Sequence, residues 1–252
     1  MAFSQYGGVD QSSIGAAICR KLQVNRREQE EIERATRGQT YSRRWFKERQ
    51  GRITASKAYR ILQGDSPYDI VQDVMATSYP NRDAASLHGS EHEPHAVKKY
   101  LDYKNQKGDV FTFSECGLMV DLEHGELAAT PDGLVAERYG GKGVLEVKCP
   151  YGIRDMTPFE AIITKQGSPH FPLEMRGNRP HLKTDHRAYY QVQMEMAITG
   201  CQWCDFVLYT NLQSSVVVVR VNFDQLFWNR LRERALDFHN RYVIPELIRR
   251  RF

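Results

Sequence analysis

The chain has 252 residues, with 35 Lys and Arg against 31 Asp and Glu for a formal net charge of +4. A hydrophobic share of 41% and an aromatic share of 11% can build a buried core, which excludes a globally disordered chain. The longest apolar runs, such as Val216–Val219, fall far short of the roughly 20 residues of a spanning helix, and Met1–Asp10 lacks a basic-then-apolar signal layout. The expectation is a soluble intracellular protein, cytoplasmic or nuclear, with no membrane partner.

In chain order, residues 1–22 are polar and weakly periodic and read as a loosely ordered N-terminal arm, and residues 23–252 as one domain without repeat or linker. Charged helical patterning runs from Val24 to Arg37, and Tyr41 to Gln50 forms a second helix anchored by Trp45 and Phe46. A third helix starts at Thr54-Ala55-Ser56, whose hydroxyls can cap it, and ends near Leu62 before Gly64. Gly89 to Tyr103 places Ala96, Val97, Tyr100 and Leu101 at helical spacing, with Glu93 near the same buried face. A carboxylate there is expensive without a purpose or a partner.

After Gly108 the texture turns to β. Strands are expected at Val110–Phe113, Gly117–Val120, Leu127–Thr130, Gly133–Ala136 and Gly143–Lys148, with Gly140-Gly141 as a turn. Helices follow at Thr157–Thr164 and Thr184–Ile198, then strands at Phe206–Thr210 and Ser215–Val221. Asp224–Arg251 is mostly helix, interrupted near Pro245. The segment Gly167–Thr184, with three prolines, reads as a lid or substrate-contacting loop. The fold class is therefore α/β, a central mixed sheet flanked by helices.

Five scattered cysteines, Cys19, Cys116, Cys149, Cys201 and Cys204, point to reduced thiols. Cys201 and Cys204 have metal-ligand spacing, but no second Cys-x-x-Cys exists, and two buried small residues at a helix-to-strand join is the plainer reading. The mild charge surplus gathers in two arginine-rich stretches, from Arg26 to Arg52 and from Arg230 to Arg251. Interleaved glutamates make most of these residues solvated helix faces.

The most informative segment is Thr130-Pro131-Asp132-Gly133, followed by Val144-Leu145-Glu146-Val147-Lys148-Cys149-Pro150. Glu146 and Lys148 are two apart on a strand and leave the same face, and Asp132 meets them if the two strands pair. Converging carboxylates make a hard oxygen site suited to Mg²⁺ or Mn²⁺, with Lys148 placed to orient an attacking water or help deprotonate it. The competing reading is a structural salt bridge. Asp102-Tyr103-Lys104 is a second acid-x-Lys triplet, but on a polar helix end it reads as surface charge.

These residues resemble the PD-(D/E)xK nuclease superfamily, with its restriction-endonuclease-like core, and within it the YqaJ-type viral recombinases related to bacteriophage lambda exonuclease. Four ordered blocks between Trp45 and Thr210 carry the resemblance: Arg49-Gln50-Gly51-Arg52-Ile53-Thr54-Ala55-Ser56, the Gly89–Tyr100 helix, the Asp132, Glu146 and Lys148 set, and Tyr189-Tyr190-Gln191-Val192-Gln193. The resemblance implies that Arg49 and Ser56, with Arg52 and Thr54, hold a terminal 5′-phosphate. Hydroxyls and amides at a helix start beside guanidinium groups suit that anion. It implies that Glu93 reaches the metal centre, Glu91 lacking the spacing to Ala96 and Tyr100, and that Gln191 contacts the active site. Gln191 and Gln193 cannot share a helix face, so one is functional and the other structural or exposed. His92 and His95 are read as helix surface or groove residues, since magnesium prefers oxygen.

By this resemblance the catalytic set is Glu93, Asp132, Glu146, Lys148 and Gln191, and the Mg²⁺ or Mn²⁺ ligands are Asp132, Glu146 and Glu93. The implied activity is digestion of duplex DNA from a 5′-phosphorylated end, leaving 3′ single-stranded tails for recombination or repair. Some relatives form ring-shaped trimers and work with a single-strand annealing protein; neither trait can be read from these residues. A structure- or sequence-selective endonuclease of the same fold and a non-catalytic DNA-binding module are the alternatives.

Overall fold

In the computed structural model, residues 11–77, 83–212 and 215–250 are described. The N-terminal third is helical: α1 (Gln11–Leu22), α2 (Arg26–Ala35), α3 (Arg43–Arg49), α4 (Ala58–Gln63), α5 (Pro67–Val74) and α6 (Ala84–Gln106). Asn25 and Glu28 form a capping box at the start of α2, and Ser42 caps α3. Between α3 and α4 lies a two-residue strand, β1 (Ile53–Thr54).

The strands that follow are β2 (Phe111–Ser114), β3 (Met119–Val120), β4 (Leu127–Ala129), β5 (Gly133–Glu137) and β6 (Gly141–Lys148). Next come α7 (Pro158–Lys165), the hairpin β7 (Leu173–Arg176) and β8 (Arg179–Leu182), and α8 (Arg187–Thr199). The chain closes with β9 (Trp203–Thr210), β10 (Ser215–Asn222), α9 (Gln225–Phe238), a π-helical turn (His239–Val243) and α10 (Ile244–Arg249).

The central sheet has the order β10-β9-β6-β5-β2. Its pairs are antiparallel except β6 with β9, which run parallel with Glu146 opposite Phe206. A smaller sheet orders β1-β4-β3. The pleat of β6 sorts its side chains between two layers. Leu145 and Val147 pack with Ala96 and Tyr100 of α6, whereas Val144 packs with Ala188, Val192 and Met196 of α8. Glu146 and Lys148 therefore lie on the α8 side. A third core joins α1, α4, α5, α9 and α10 to the far face of α8 through Met194 and Ile198.

Four expectations are corrected. Residues 11–22 of the expected arm are helical, and Ile18 and Leu22 are buried in the third core; residues 1–10 lie outside the described set. The helix expected from Thr54-Ala55-Ser56 is present, as a 3₁₀ turn over Ala55–Lys57 that runs into α4, but no hydroxyl caps it, and Ile53 and Thr54 before it pair with β4. Residues 173–182 form a hairpin rather than an open loop, turning at Gly177, whose φ is +61°. Helix α5 was not anticipated, although Ser66 as cap with Pro67 at the first turn is a recognised start. Among the described residues no helix is long and apolar enough to cross a membrane.

Candidate active site

The β5–β6 hairpin builds the first half of the site. Gly133 pairs with Leu145, and the Asp132 amide donates to the Leu145 carbonyl at 3.1 Å. Asp132 then reaches along the neighbouring strand, and its Oδ2 accepts from the Val147 amide at 2.7 Å. Gly133 is required beside it, since a Cβ there would stand 2.2 Å from the Phe113 ring. Two residues apart on β6, Glu146 and Lys148 form an ion pair. The Glu146 side chain is 2% exposed and that of Lys148 is 37% exposed, so the lysine is the open side of the pair.

Helix α8 supplies the second half. The Gln191 Nε2 donates to Glu146 Oε1 at 2.7 Å, and its Oε1 faces Lys148 Nζ at 3.4 Å. Gln193 turns away: it is fully buried, donates to the Asn222 carbonyl at 2.9 Å and accepts from the Asp224 amide at 2.8 Å. Of the two glutamines the fold thus brings only Gln191 to the acids and uses Gln193 to tie α8 to the end of β10. Glu93 comes from α6 and is half-buried near Glu146, whereas Glu91 is exposed.

Sequence reasoning missed Glu195. It lies one helical turn beyond Gln191, is 1% exposed, and accepts from Gln191 Nε2 at 2.8 Å. An acid four residues after a site glutamine, flanked by Met194 and Met196, was the available signal.

Negative charge exceeds positive charge here. Burial, and then the charges of Glu146 and Glu93, push Asp132 well above the usual carboxylate range. Burial and Glu146 act in the same direction on Glu93 and on Glu195. Burial works against the charged Lys148, but Glu146 and Asp132 outweigh it and hold the ammonium charged. Among the described residues no three His, Cys, Asp or Glu side chains stand as a ready ligating set, the Lys148 ammonium lying against Glu146. Yet Glu146 Oε2 is buried without a hydrogen-bond partner. The donors are hard carboxylate oxygens and their mutual repulsion would be relieved by a cation, so Asp132, Glu146 and Glu93 fit Mg²⁺ or Mn²⁺ chemically.

Beside this centre lies a cavity of about 300 Å³, lined by Ser56, Lys148, His170, Arg187 and Gln191 among others. Ser56 is exposed and its Oγ is 3.4 Å from the hydroxyl of buried Thr54, which accepts from Arg49 at the same distance. The Arg49 guanidinium stacks 3.9 Å from the centre of the Trp45 ring, and Trp45 donates to Thr130 Oγ1 at 3.1 Å, two residues before Asp132. Burial, followed by the nearby Arg49, pulls the Lys57 ammonium down to about 8. Arg52 stands apart from this group. It is 4% exposed and donates to the backbone carbonyls of Glu48, Leu22 and Gly125, so the structure gives it to the fold rather than to an anion.

Cys201 and Cys204 are buried in the core beside α8. His92 stacks on His88 with ring centres 4.1 Å apart, and His95 is exposed.

A mixed sheet flanked by helices, with an acid pair and a lysine at the end of its central hairpin, is the PD-(D/E)xK fold, and the solved structures it resembles include alkaline exonucleases. More narrowly, residues 44–202 match the YqaJ-like viral recombinase domain, and the chain belongs to that family. It is 27% identical to the alkaline exonuclease LHK-Exo of Laribacter hongkongensis, with a TM-score of 0.58 over 82% of this chain and 96% of that one. The Shutoff and Exonuclease Protein of Kaposi's sarcoma-associated herpesvirus shares the fold at 13% identity, with a TM-score of 0.53 over 94% of this chain and 75% of that one. Among curated proteins, the alkaline nuclease of Autographa californica nuclear polyhedrosis virus is 25% identical over 227 residues. The match covers 79% of this chain and 48% of that protein, so the chain spans about half the length of the curated relative it matches.

Proposed function

We propose that the protein is a divalent-metal-dependent deoxyribonuclease that digests duplex DNA from a 5′-phosphorylated end and leaves 3′ single-stranded tails for recombination. The observation that carries this reading is the hydrogen-bonded set of Glu146, Lys148 and Gln191 beside Asp132, of which Lys148 and Gln191 line a cavity that also reaches Ser56. The alkaline nuclease and exonuclease relatives support the reaction class.

Asp132 and Glu146, with Glu93, would hold Mg²⁺ or Mn²⁺, which when bound supplies neutralisation of the scissile phosphate. Lys148 Nζ, kept charged by its acids, donates to the attacking water and counters negative charge on the phosphate. Gln191 Oε1 accepts from the same water and fixes its direction. Arg49 and the Ser56 hydroxyl take the terminal phosphate, with Thr54 orienting the guanidinium. Arg52 has no part in this contact. Holding the new end in place after each cut keeps the strand in register.

The test is a Mg²⁺ time course on linear duplexes ending in 5′-phosphate or 5′-hydroxyl, beside a closed circle. Phosphate-stimulated shortening of the linear strands with an intact circle is the expected result. Replacing Arg49 with Ala should lower the phosphate preference about tenfold, in keeping with one charge-assisted contact. Cleavage of the circle without end preference would keep the metal centre and overturn the phosphate site.

A further inference from the structure

We infer that Glu195 is a positioning residue for the reacting centre, acting through the side-chain amide of Gln191. This rests on the nuclease reading above and adds to it a residue that touches neither DNA nor metal.

The argument begins with the cost of placing the residue where it is. Glu195 is 1% exposed in a helix stretch otherwise packed into the core, and its Oε2 is buried without a hydrogen-bond partner. For the fold alone an apolar residue of similar volume would serve better. What the carboxyl does is direct one group. Its Oε1 accepts one proton of the Gln191 amide at 2.8 Å while Glu146 Oε1 accepts the other at 2.7 Å. With both amide protons taken by acids, the Gln191 carbonyl must point toward Lys148. Turning the amide over would set its donors against the Lys148 ammonium and its oxygen against two carboxyl groups. Without Glu195 the amide keeps only Glu146 and the longer contact to Lys148, both on β6, and can swing about that side. Glu195, rooted on the same helix four residues on, supplies the second point that stops the rotation.

The required property is an acceptor at that position, whatever its charge. Glu195→Met fills the space without one, and Glu195→Gln keeps a carbonyl oxygen that can face Gln191. On a 5′-phosphorylated linear duplex with Mg²⁺, Glu195→Met should lower kcat by about 10–100-fold with KM within twofold, the scale of lost orienting contacts behind a metal centre. Glu195→Gln should recover most of that loss. The thermal midpoint of Glu195→Met should equal or exceed the wild-type value. Added to Gln191→Ala, it should lower kcat no further.

Any of four results overturns the inference: Glu195→Met within twofold of wild type in kcat, a loss accompanied by a lowered midpoint, no recovery in Glu195→Gln, or a full additional loss on the Gln191→Ala background. A wild-type protein inert on every DNA offered would instead remove the nuclease reading, and this inference with it.

Discussion

The two faces of the central sheet each carry a cluster of buried charge, and the clusters are built on opposite principles. On the α6 face, Arg220 pairs with Asp205 at 2.8 Å and with Glu137 at 2.7 Å while lying over the Trp203 ring. Lys104 pairs with Glu137 and Asp109, and the Tyr100 hydroxyl donates to Asp205 at 2.7 Å. Every acid there has a cation or a donor, and hydrogen bonds from Arg220 draw Glu137 down to about 2. At the α8 side, Asp132 and Glu195, together with Glu93 reaching in from α6, are pushed up instead, with Lys148 as the cation among them. A cluster that serves the fold balances its charges. One left with surplus acid carries a cost of the kind that functional sites bear.

The contrast breaks most sharply at Lys148. Replacing it with Ala should lower cleavage by about 10²–10⁴-fold, the range for a lost proton-handling group, while DNA binding in Ca²⁺ stays near wild type. Glu146→Ala should likewise abolish cleavage with binding retained. On the other face, Arg220→Ala should destabilise the fold by about 3 kcal/mol in urea, because Asp205 and Glu137 lose their partner, with turnover per folded molecule unchanged. Loss of turnover without loss of stability in that variant would erase the distinction.

A pH series sharpens it further. Glu137 titrates near 2 when folded and near the ordinary 4.5 when unfolded, so the unfolded chain binds more protons between those values. Its contribution is full above pH 4.5 and is lost as pH falls toward 2, of order 1–3 kcal/mol. Glu137→Gln should flatten that limb of stability against pH. The smallest effect is expected at Asp102. Asp102→Ala should change stability by less than about 0.5 kcal/mol and leave cleavage intact, and an inactive variant would mean that the wrong acid-x-Lys triplet had been chosen.

Lys104 shows why that choice was legible only in part. It reads as surface charge on a polar helix end, yet it is 4% exposed and committed to Asp109, five residues on, and to Glu137, a partner that only the packing of β5 beside α6 brings near. The β5–β6 hairpin is readable because its signals are local: an apolar stretch, a glycine turn, and an acid and a lysine two residues apart. Gln191 came from family resemblance, and Gln193 was separated from it by helix periodicity alone. Arg52 was misplaced because an arginine beside Thr and Ser looks the same in sequence whether it faces solvent or three carbonyls. Residues 11–22 were missed since their burial depends on α10 and on α5, far along the chain. The β7–β8 hairpin was hidden by prolines, although its Gly177-Asn178 turn is a hairpin signature.

The parallel pairing of β6 with β9 sets the order in which the candidate site comes into being. Asp132, Glu146 and Lys148 sit on neighbouring strands of one hairpin and can meet early in folding. Gln191 and Glu195 travel on a helix inside the connection of residues 149–202, and that loop closes only when β9 docks beside β6. A nascent chain lacking residues beyond 202 has no strand to close it. Assembly of the candidate site therefore waits until residues 203–210 have been synthesised.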